Sequence, residues 1–171
     1  LGPIFALYIV GSIEGGSAEV AGIAIAIYLG TKSLLQLPAA HLVDTIRGDH
    51  DDFWFMFWSL LVASLVPLSY LFITTPYELY AAQFVLGLAL AFNYPSFMAL
   101  FTKYIPVTKE ATTWSIYYTL FDLLSAGSAA IGGVLAIMFG FEPVIVATSA
   151  IGVVGALLLL PIRGQLRKTG A

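Results

Sequence analysis

The sequence predicts an all-α fold, a polytopic transmembrane helical bundle, and three observations carry that prediction. Of the 171 residues, 60% are hydrophobic and 10% charged, and the mean hydropathy is +0.94. A soluble domain is usually about 45–50% apolar and about 25% charged, so this chain could not cover a water-facing surface. Polar breaks then cut the sequence into apolar blocks, most of which reach the roughly 20 residues that a bilayer span needs. Finally, the blocks are too long and too uniformly apolar for barrel strands of about ten alternating residues. Helices are the remaining structure that satisfies its own backbone in lipid.

Each element can be justified in order. The first apolar stretch, residues 1–13, is too short to span, and the chain begins at Leu1 with no n-region of a signal peptide. It reads as the outer end of a truncated helix. A turn, Glu14-Gly15-Gly16-Ser17, leads into a block at 18–43, and a polar loop from Asp44 to Asp52 separates that from a block at 53–73. Thr74-Thr75-Pro76 makes a tight turn, because proline disfavours helix at the residue before it. A fourth block at 77–101 follows. A loop with Lys103, Pro106, Lys109 and Glu110 precedes a fifth at 112–139. Gly140-Phe141-Glu142-Pro143 turns the chain into a sixth, 143–162, with a tail at 163–171. The expected organisation is one transmembrane domain over 1–171.

Charge placement orients the bundle. Arg47, Lys103, Lys109, Arg163, Arg167 and Lys168 lie in alternate loops or the tail, while the opposite turns carry Glu14, Glu19, Glu78 and Glu142. An even number of helices separates the basic segments, so all fall on one face, which the positive-inside rule assigns to the cytoplasm of a cell-membrane protein. Trp54, Trp58 and Trp114 lie near that face, at interface depth. The C-terminus is expected to be cytoplasmic.

Lys32 is the exception among the bases. It lies mid-helix, and so does Asp122 in the fifth block. At 1.5 Å per residue both are on the order of 15–18 Å from the basic face, near the centre of a hydrocarbon core about 30 Å thick. A lone charge there costs a few kcal/mol or more and usually faces a cavity or an opposite charge. Tyr28, Lys32 and Gln36 recur every four residues and share a helix face; Ser115, Tyr118, Thr119, Asp122 and Ser125 share another. Gln83 and Asn93 add polarity to the fourth helix, where Pro95 frees a backbone carbonyl and predicts a kink. Three readings stay open. Lys32 and Asp122 form an ion pair that only holds helices together, they line a substrate or proton pathway, or they do not meet.

Small residues at spacings of four (Gly22, Ala26 and Gly30; Ser125, Ala129 and Gly133; Gly152 and Ala156) predict close helix packing. The chain has no cysteine, which excludes disulfides and thiolate metal sites. No phosphate loop, HExxH or GxSxG occurs. His41 and His50 have no ligand set around them. No catalytic residue, metal, cofactor or nucleic-acid partner is therefore expected, and the chain does not read as an enzyme.

Three segments resemble motifs of the major facilitator superfamily of transporters. The stretch from Gln36 to Gly48, QLPAAHLVDTIRG, resembles that family's loop between its second and third helices. Ala40 stands where the family has Gly, Asp44 matches its Asp, and Arg47 alone represents its basic cluster. Gln83-Phe-Val-Leu-Gly87 resembles an Arg-x-x-Gln-Gly pattern, with Gln83 at the Arg position, so the proton-linked role of that Arg does not carry over. Ser128-Ala-Ala-Ile-Gly132-Gly133 resembles the Gly-Pro-x-x-Gly-Gly of antiporters without its Gly and Pro. The resemblance implies the N-terminal six-helix half of such a fold, built from two three-helix repeats and lacking the start of its first helix. It implies a cavity lined by the first and fourth helices, making Gln83, Asn93 and Tyr94 candidates beside Lys32, Asp122, Tyr28 and Gln36. It also implies that Asp44 and Arg47 belong to a cytoplasmic latch.

The functional expectation is a secondary active transporter that moves a small solute across the membrane by alternating access, with proton coupling through Asp122 as an open possibility. The expected partners are the solute, the lipid bilayer, and a second six-helix half in cis or a homodimer partner. The alternative is a non-transporting six-helix scaffold or assembly partner.

Overall fold

Two helix starts in this chain, at Ala18 and Pro76, are set by capping side chains. The computed structural model describes residues 2–46, 48–106 and 108–166. Among these residues six helices follow one another: α1 (Gly2–Ser12), α2 (Ala18–Thr45), α3 (Asp49–Ser69), α4 (Pro76–Lys103), α5 (Glu110–Phe139) and α6 (Phe141–Leu157), with a 3₁₀ segment at Leu160–Gln165. Ser17 caps α2, its hydroxyl accepting from the Val20 N–H at 3.2 Å. Thr75 opens α4 with a reciprocal capping box. Its hydroxyl accepts from the Glu78 N–H, while the Glu78 carboxylate accepts from the Thr75 N–H at 3.1 Å. Pro76 takes the first helical position, where a missing N–H leaves nothing unpaired. Gly140 joins α5 to α6 at φ 85°, a conformation that favours glycine.

The all-α bundle expected from hydropathy is what the chain forms, and among the described residues five segments are long and apolar enough to cross a membrane. Several boundaries differ from the hydropathy blocks. Helix α3 begins at Asp49 rather than Phe53, because Asp49, Asp51 and Asp52 are favourable at the positive end of a helix dipole. The expected long second loop thus shrinks to a short link after Thr45. Helix α3 also ends early, at Ser69. Pro67 removes a helical donor, and a tight turn closes with the Tyr70 N–H donating to the Pro67 carbonyl at 3.0 Å. Helix α6 stops at Leu157, and Pro161 lies in the 3₁₀ segment that follows.

Part of the packing follows a repeat. Helix α4 packs against both α2 and α3, α3 also against α6, α1 against α2 and α5, and contacts further join α2 to α3 and α5 to α6. Exchanging α1, α2 and α3 with α4, α5 and α6 converts α2–α4 into α5–α1 and α2–α3 into α5–α6, and returns α3–α6 to itself. Those three relations obey the exchange of two three-helix units, whereas α3–α4 and α1–α2 have no comparable counterpart in α6–α1 and α4–α5. An apolar cluster around Tyr8, Ile9, Ala24, Tyr70 and Leu79 fills one end, and another around Phe53, Phe57, Leu100 and Ala156 fills the basic end.

Small residues permit two of these approaches, though not along all the expected stripes. A Cβ on Gly87 would lie 2.6 Å from the Tyr28 carbonyl oxygen and 2.8 Å from the Thr31 Cβ, so α2 and α4 meet almost backbone to backbone. A Cβ on Gly152 would lie 2.6 Å from the Ser64 hydroxyl, and Ala156 is fully buried, so the α6 stripe does pack on α3. By contrast, nothing lies within 4 Å of a Cβ built on Gly22, Gly30 or Gly133. The expectation of packing at those glycines is corrected: α2 meets α4 through the face bearing Ala21, Ala24, Tyr28 and Thr31. Helix α5 buries no residue.

Candidate functional site

Polarity within the bundle divides between two sides of α4. Towards α3, side-chain amides cross-link helices. Gln83 is 3% exposed and donates from Nε2 to the Tyr70 hydroxyl at 2.9 Å, and the Tyr8 hydroxyl in turn donates to the Tyr70 carbonyl. Asn93 donates from Nδ2 to the Met56 carbonyl at 3.1 Å and to the Ser59 hydroxyl at 3.2 Å. A free backbone or side-chain acceptor in an apolar interior costs free energy, so these amides tie α4 to α3. Neither Tyr70 nor Ser59 was singled out in the sequence. The available signal was weak: polar residues on α3, or just past its end, at the depths of Asn93 and Gln83.

Towards α2 and α5, α4 presents Tyr94. The Lys32 ammonium lies over the Tyr94 ring, 5.5 Å from its centroid, a cation–π distance. Across on α5, the Tyr118 side chain lies close to that of Tyr94. Asp122 lies one turn further along α5 and is exposed. Tyr28 and Gln36 flank Lys32 one turn to either side, and all three are partly buried.

Lys32 and Asp122 do not pair. Among the described residues, the ion pairs are those of Lys103 with Asp49 at 3.1 Å and Asp52 at 2.7 Å. The reason is topological. Helix α2 packs on α4 while α5 packs on α6 and α1, so a tyrosine pair stands where direct contact was expected. What joins the two charged stripes is Lys32 over Tyr94, and Tyr94 to Tyr118.

The basic end carries a second polar cluster, which sequence reading did not assemble. Lys103, in the last turn of α4, reaches two carboxylates in the first turn of α3, and the Tyr104 hydroxyl donates to Asp49 at 3.0 Å. Each charge suits the helix end it occupies. The legible signal was the i, i+3 spacing of Asp49 and Asp52 opposite the end of an antiparallel helix. Arg163 lies over the Trp54 ring at 5.1 Å. Asp44 is exposed at the end of α2, and Arg47 lies outside the described residues. Among the described residues, no group of three or more histidines and carboxylates is placed to hold a metal.

The arrangement can hold a charge at membrane mid-depth beside hydroxyl and aromatic groups. Nothing in it supplies a nucleophile and base in contact. In comparisons with known proteins, no curated protein and no solved structure matches. The family model of the Major Facilitator Superfamily matches residues 1–170. That match spans nearly the whole chain, and with the multi-pass helical architecture it means that this chain belongs to the Major Facilitator Superfamily, a family of transporters.

Proposed function

We propose that the chain is the N-terminal half of a secondary active transporter that moves a small solute across the cell membrane by alternating access. The observation that carries this reading is the charge at mid-depth: Lys32 and Asp122 stand on α2 and α5 without pairing to each other. A lone charge at that depth is costly when it faces lipid, so it calls for a watered cavity or a facing partner. In this reading Lys32, Tyr94 and Asp122 line the solute path, with Tyr28 and Gln36 beside them. A second six-helix half, in cis or from a second copy, closes the cavity. Gln83 and Asn93 act as braces that keep α4 fixed on α3. Asp44 and Arg47 belong to the loop that meets the other half at the cytoplasmic face.

The basic loop ends support a cytoplasmic C-terminus for this six-helix unit. Reporter fusions that put the 103–109 loop outside the cell would overturn that orientation. Proton coupling is assigned to Asp122, the carboxylate furthest from either end of its helix. The function is tested with the full native chain in proteoliposomes. Solute accumulation driven by a pH gradient is expected and should be lost in Asp122→Asn. If uptake persists undiminished in Asp122→Asn, the coupling role is wrong.

A second reading, a non-transporting membrane scaffold, draws on Gln83 and Asn93, whose amides serve helix–helix contacts. Absence of uptake for every solute tested, with the protein intact and folded, would favour it.

A further inference from the structure

The stretch beside Lys32 has a chemistry of its own. Lys32 is the one base away from the basic face. Among the described residues its ammonium has no carboxylate within 4 Å, and its neighbour is the Tyr94 ring. A π-face offsets part of a cation's desolvation but takes up only one side of the ammonium, so its N–H donors remain open to an anion. The adjoining surface is aromatic: Tyr94 is 41% exposed and Tyr118 47%. These rings sit on two helices that are locked together deeper in by Phe97 against Tyr117 at 5.2 Å. The Tyr94–Tyr118 contact adds hydroxyl groups to the same surface.

The geometry points to a small organic anion carrying an aromatic ring as the solute class of this site. This rests on the transporter reading and refines it. The carboxylate or equivalent anion sits on the Lys32 ammonium and supplies the counter-charge that Asp122 does not. The ring lies against Tyr94 and Tyr118, where flat groups gain offset or edge-on contacts. The tyrosine hydroxyls donate to the anion's remaining acceptor sites. A cationic solute meets Lys32 with like charge and is rejected. An aliphatic anion keeps the charge contact but loses the ring contacts.

The test uses the full native chain, purified in detergent, with benzoate as the probe and benzylamine and cyclohexanecarboxylate as comparisons. Binding is read by ligand-induced thermal stabilisation and by quenching of intrinsic fluorescence, independently of transport. Benzoate is expected to bind more tightly than cyclohexanecarboxylate, and benzylamine is expected not to bind. Lys32→Gln should weaken benzoate by about tenfold or more, the loss expected for a charge-assisted hydrogen bond, while Lys32→Arg stays within a few-fold. Tyr94→Leu should weaken benzoate more than cyclohexanecarboxylate. Preference for benzylamine, equal binding of the two anions, no benzoate binding, or benzoate binding indifferent to Lys32→Gln each overturns the proposal. If Lys32→Gln fails to fold, the ranking of the three probes on the native chain decides. Lys32-dependent benzoate binding without uptake into proteoliposomes would sink the transporter reading and leave the site. Uptake of another solute class without benzoate binding would do the reverse.

Discussion

Lys103 closes the basic end of the α3–α4 pair by placing its ammonium 2.7 Å from the Asp52 carboxylate, which is 3% exposed. Removing the lysine leaves a buried carboxylate without its cation. Fully buried pairs lose about 3–5 kcal/mol when one partner goes, but the Lys103 side chain is 44% exposed, so water screens the pair. Lys103→Met is expected to lower stability by about 1–2 kcal/mol. Thermal unfolding of the purified protein should show a lower Tm, largely restored when Asp52→Asn is added. An unchanged Tm in the single variant would remove this contact from the account of stability.

Gly87 decides how close α2 and α4 can come. Any Cβ there meets the Tyr28 backbone at 2.6 Å, and a backbone carbonyl cannot swing aside as a side-chain tip does. Gly87→Val should cost about 1–3 kcal/mol through overpacking. Gly22→Ala and Gly30→Ala meet nothing within 4 Å and should be neutral within about 0.5 kcal/mol. Parallel Tm measurements separate the two classes. Equal effects at all three positions would mean that small residues act in α2 as a general packing stripe.

That contrast shows what the sequence could and could not reveal. Helix number, the alternation of basic ends and the mid-depth position of Lys32 follow from hydropathy and charge, because each depends on residues near one another in the chain. Which helix meets which does not. Gly22 and Gly87 are equally small, and only the tertiary arrangement makes Gly87 the contact. The same limit explains the unformed Lys32–Asp122 pair. Equal depth was legible, but lateral position is set by α2 packing on α4 and α5 on α6. Gln83 and Asn93 were legible as mid-depth polar groups. Their direction, towards Met56 on α3 and Tyr70 just past its end, depends on the rotation of α4 about its axis, which a helix without clearly separated polar and apolar faces leaves ambiguous.

The two amides of α4 should behave as braces. Interhelical hydrogen bonds in membranes are worth about 0.6 kcal/mol on average and up to about 1.7 kcal/mol. Gln83 is buried, so Gln83→Leu removes the donor to the Tyr70 hydroxyl and also leaves that oxygen without its amide. Stability should fall by about 1 kcal/mol, and Asn93→Leu, which loses contacts to both Met56 and Ser59, should cost at least as much. Solute affinity should change less than for Lys32→Gln in the same assay. A large affinity loss at unchanged Tm would move these residues from bracing to lining the path.

Ser149 on α6 and Ser96 on α4 are each about 1% exposed or less, and neither hydroxyl has a hydrogen-bond partner among the described residues. A buried hydroxyl without a partner costs free energy that alanine does not. Ser149→Ala should therefore be neutral or raise stability by up to about 1 kcal/mol. A clear drop in Tm would show that the hydroxyl has a partner in the assembled protein, such as a bound water.

The last prediction concerns the two mid-depth charges. If Lys32 and Asp122 were an ion pair, exchanging them would preserve it, and Lys32→Asp with Asp122→Lys would recover what each single variant loses. In the structure Lys32 contacts the Tyr94 ring, and Tyr94 in turn reaches Tyr118 on the helix of Asp122. Exchange puts a carboxylate over the electron-rich face of Tyr94, which repels it, and removes the cation from α2. The double variant should therefore be no better than Lys32→Asp alone in solute binding and in uptake. Lys32→Arg should retain both, because a guanidinium also stacks on an aromatic face. Binding and uptake are measured side by side for the two single variants, the exchange and Lys32→Arg. Rescue by the exchange would mean that the two charges meet in the working protein, in a conformation where α2 and α5 approach each other past Tyr94 and Tyr118.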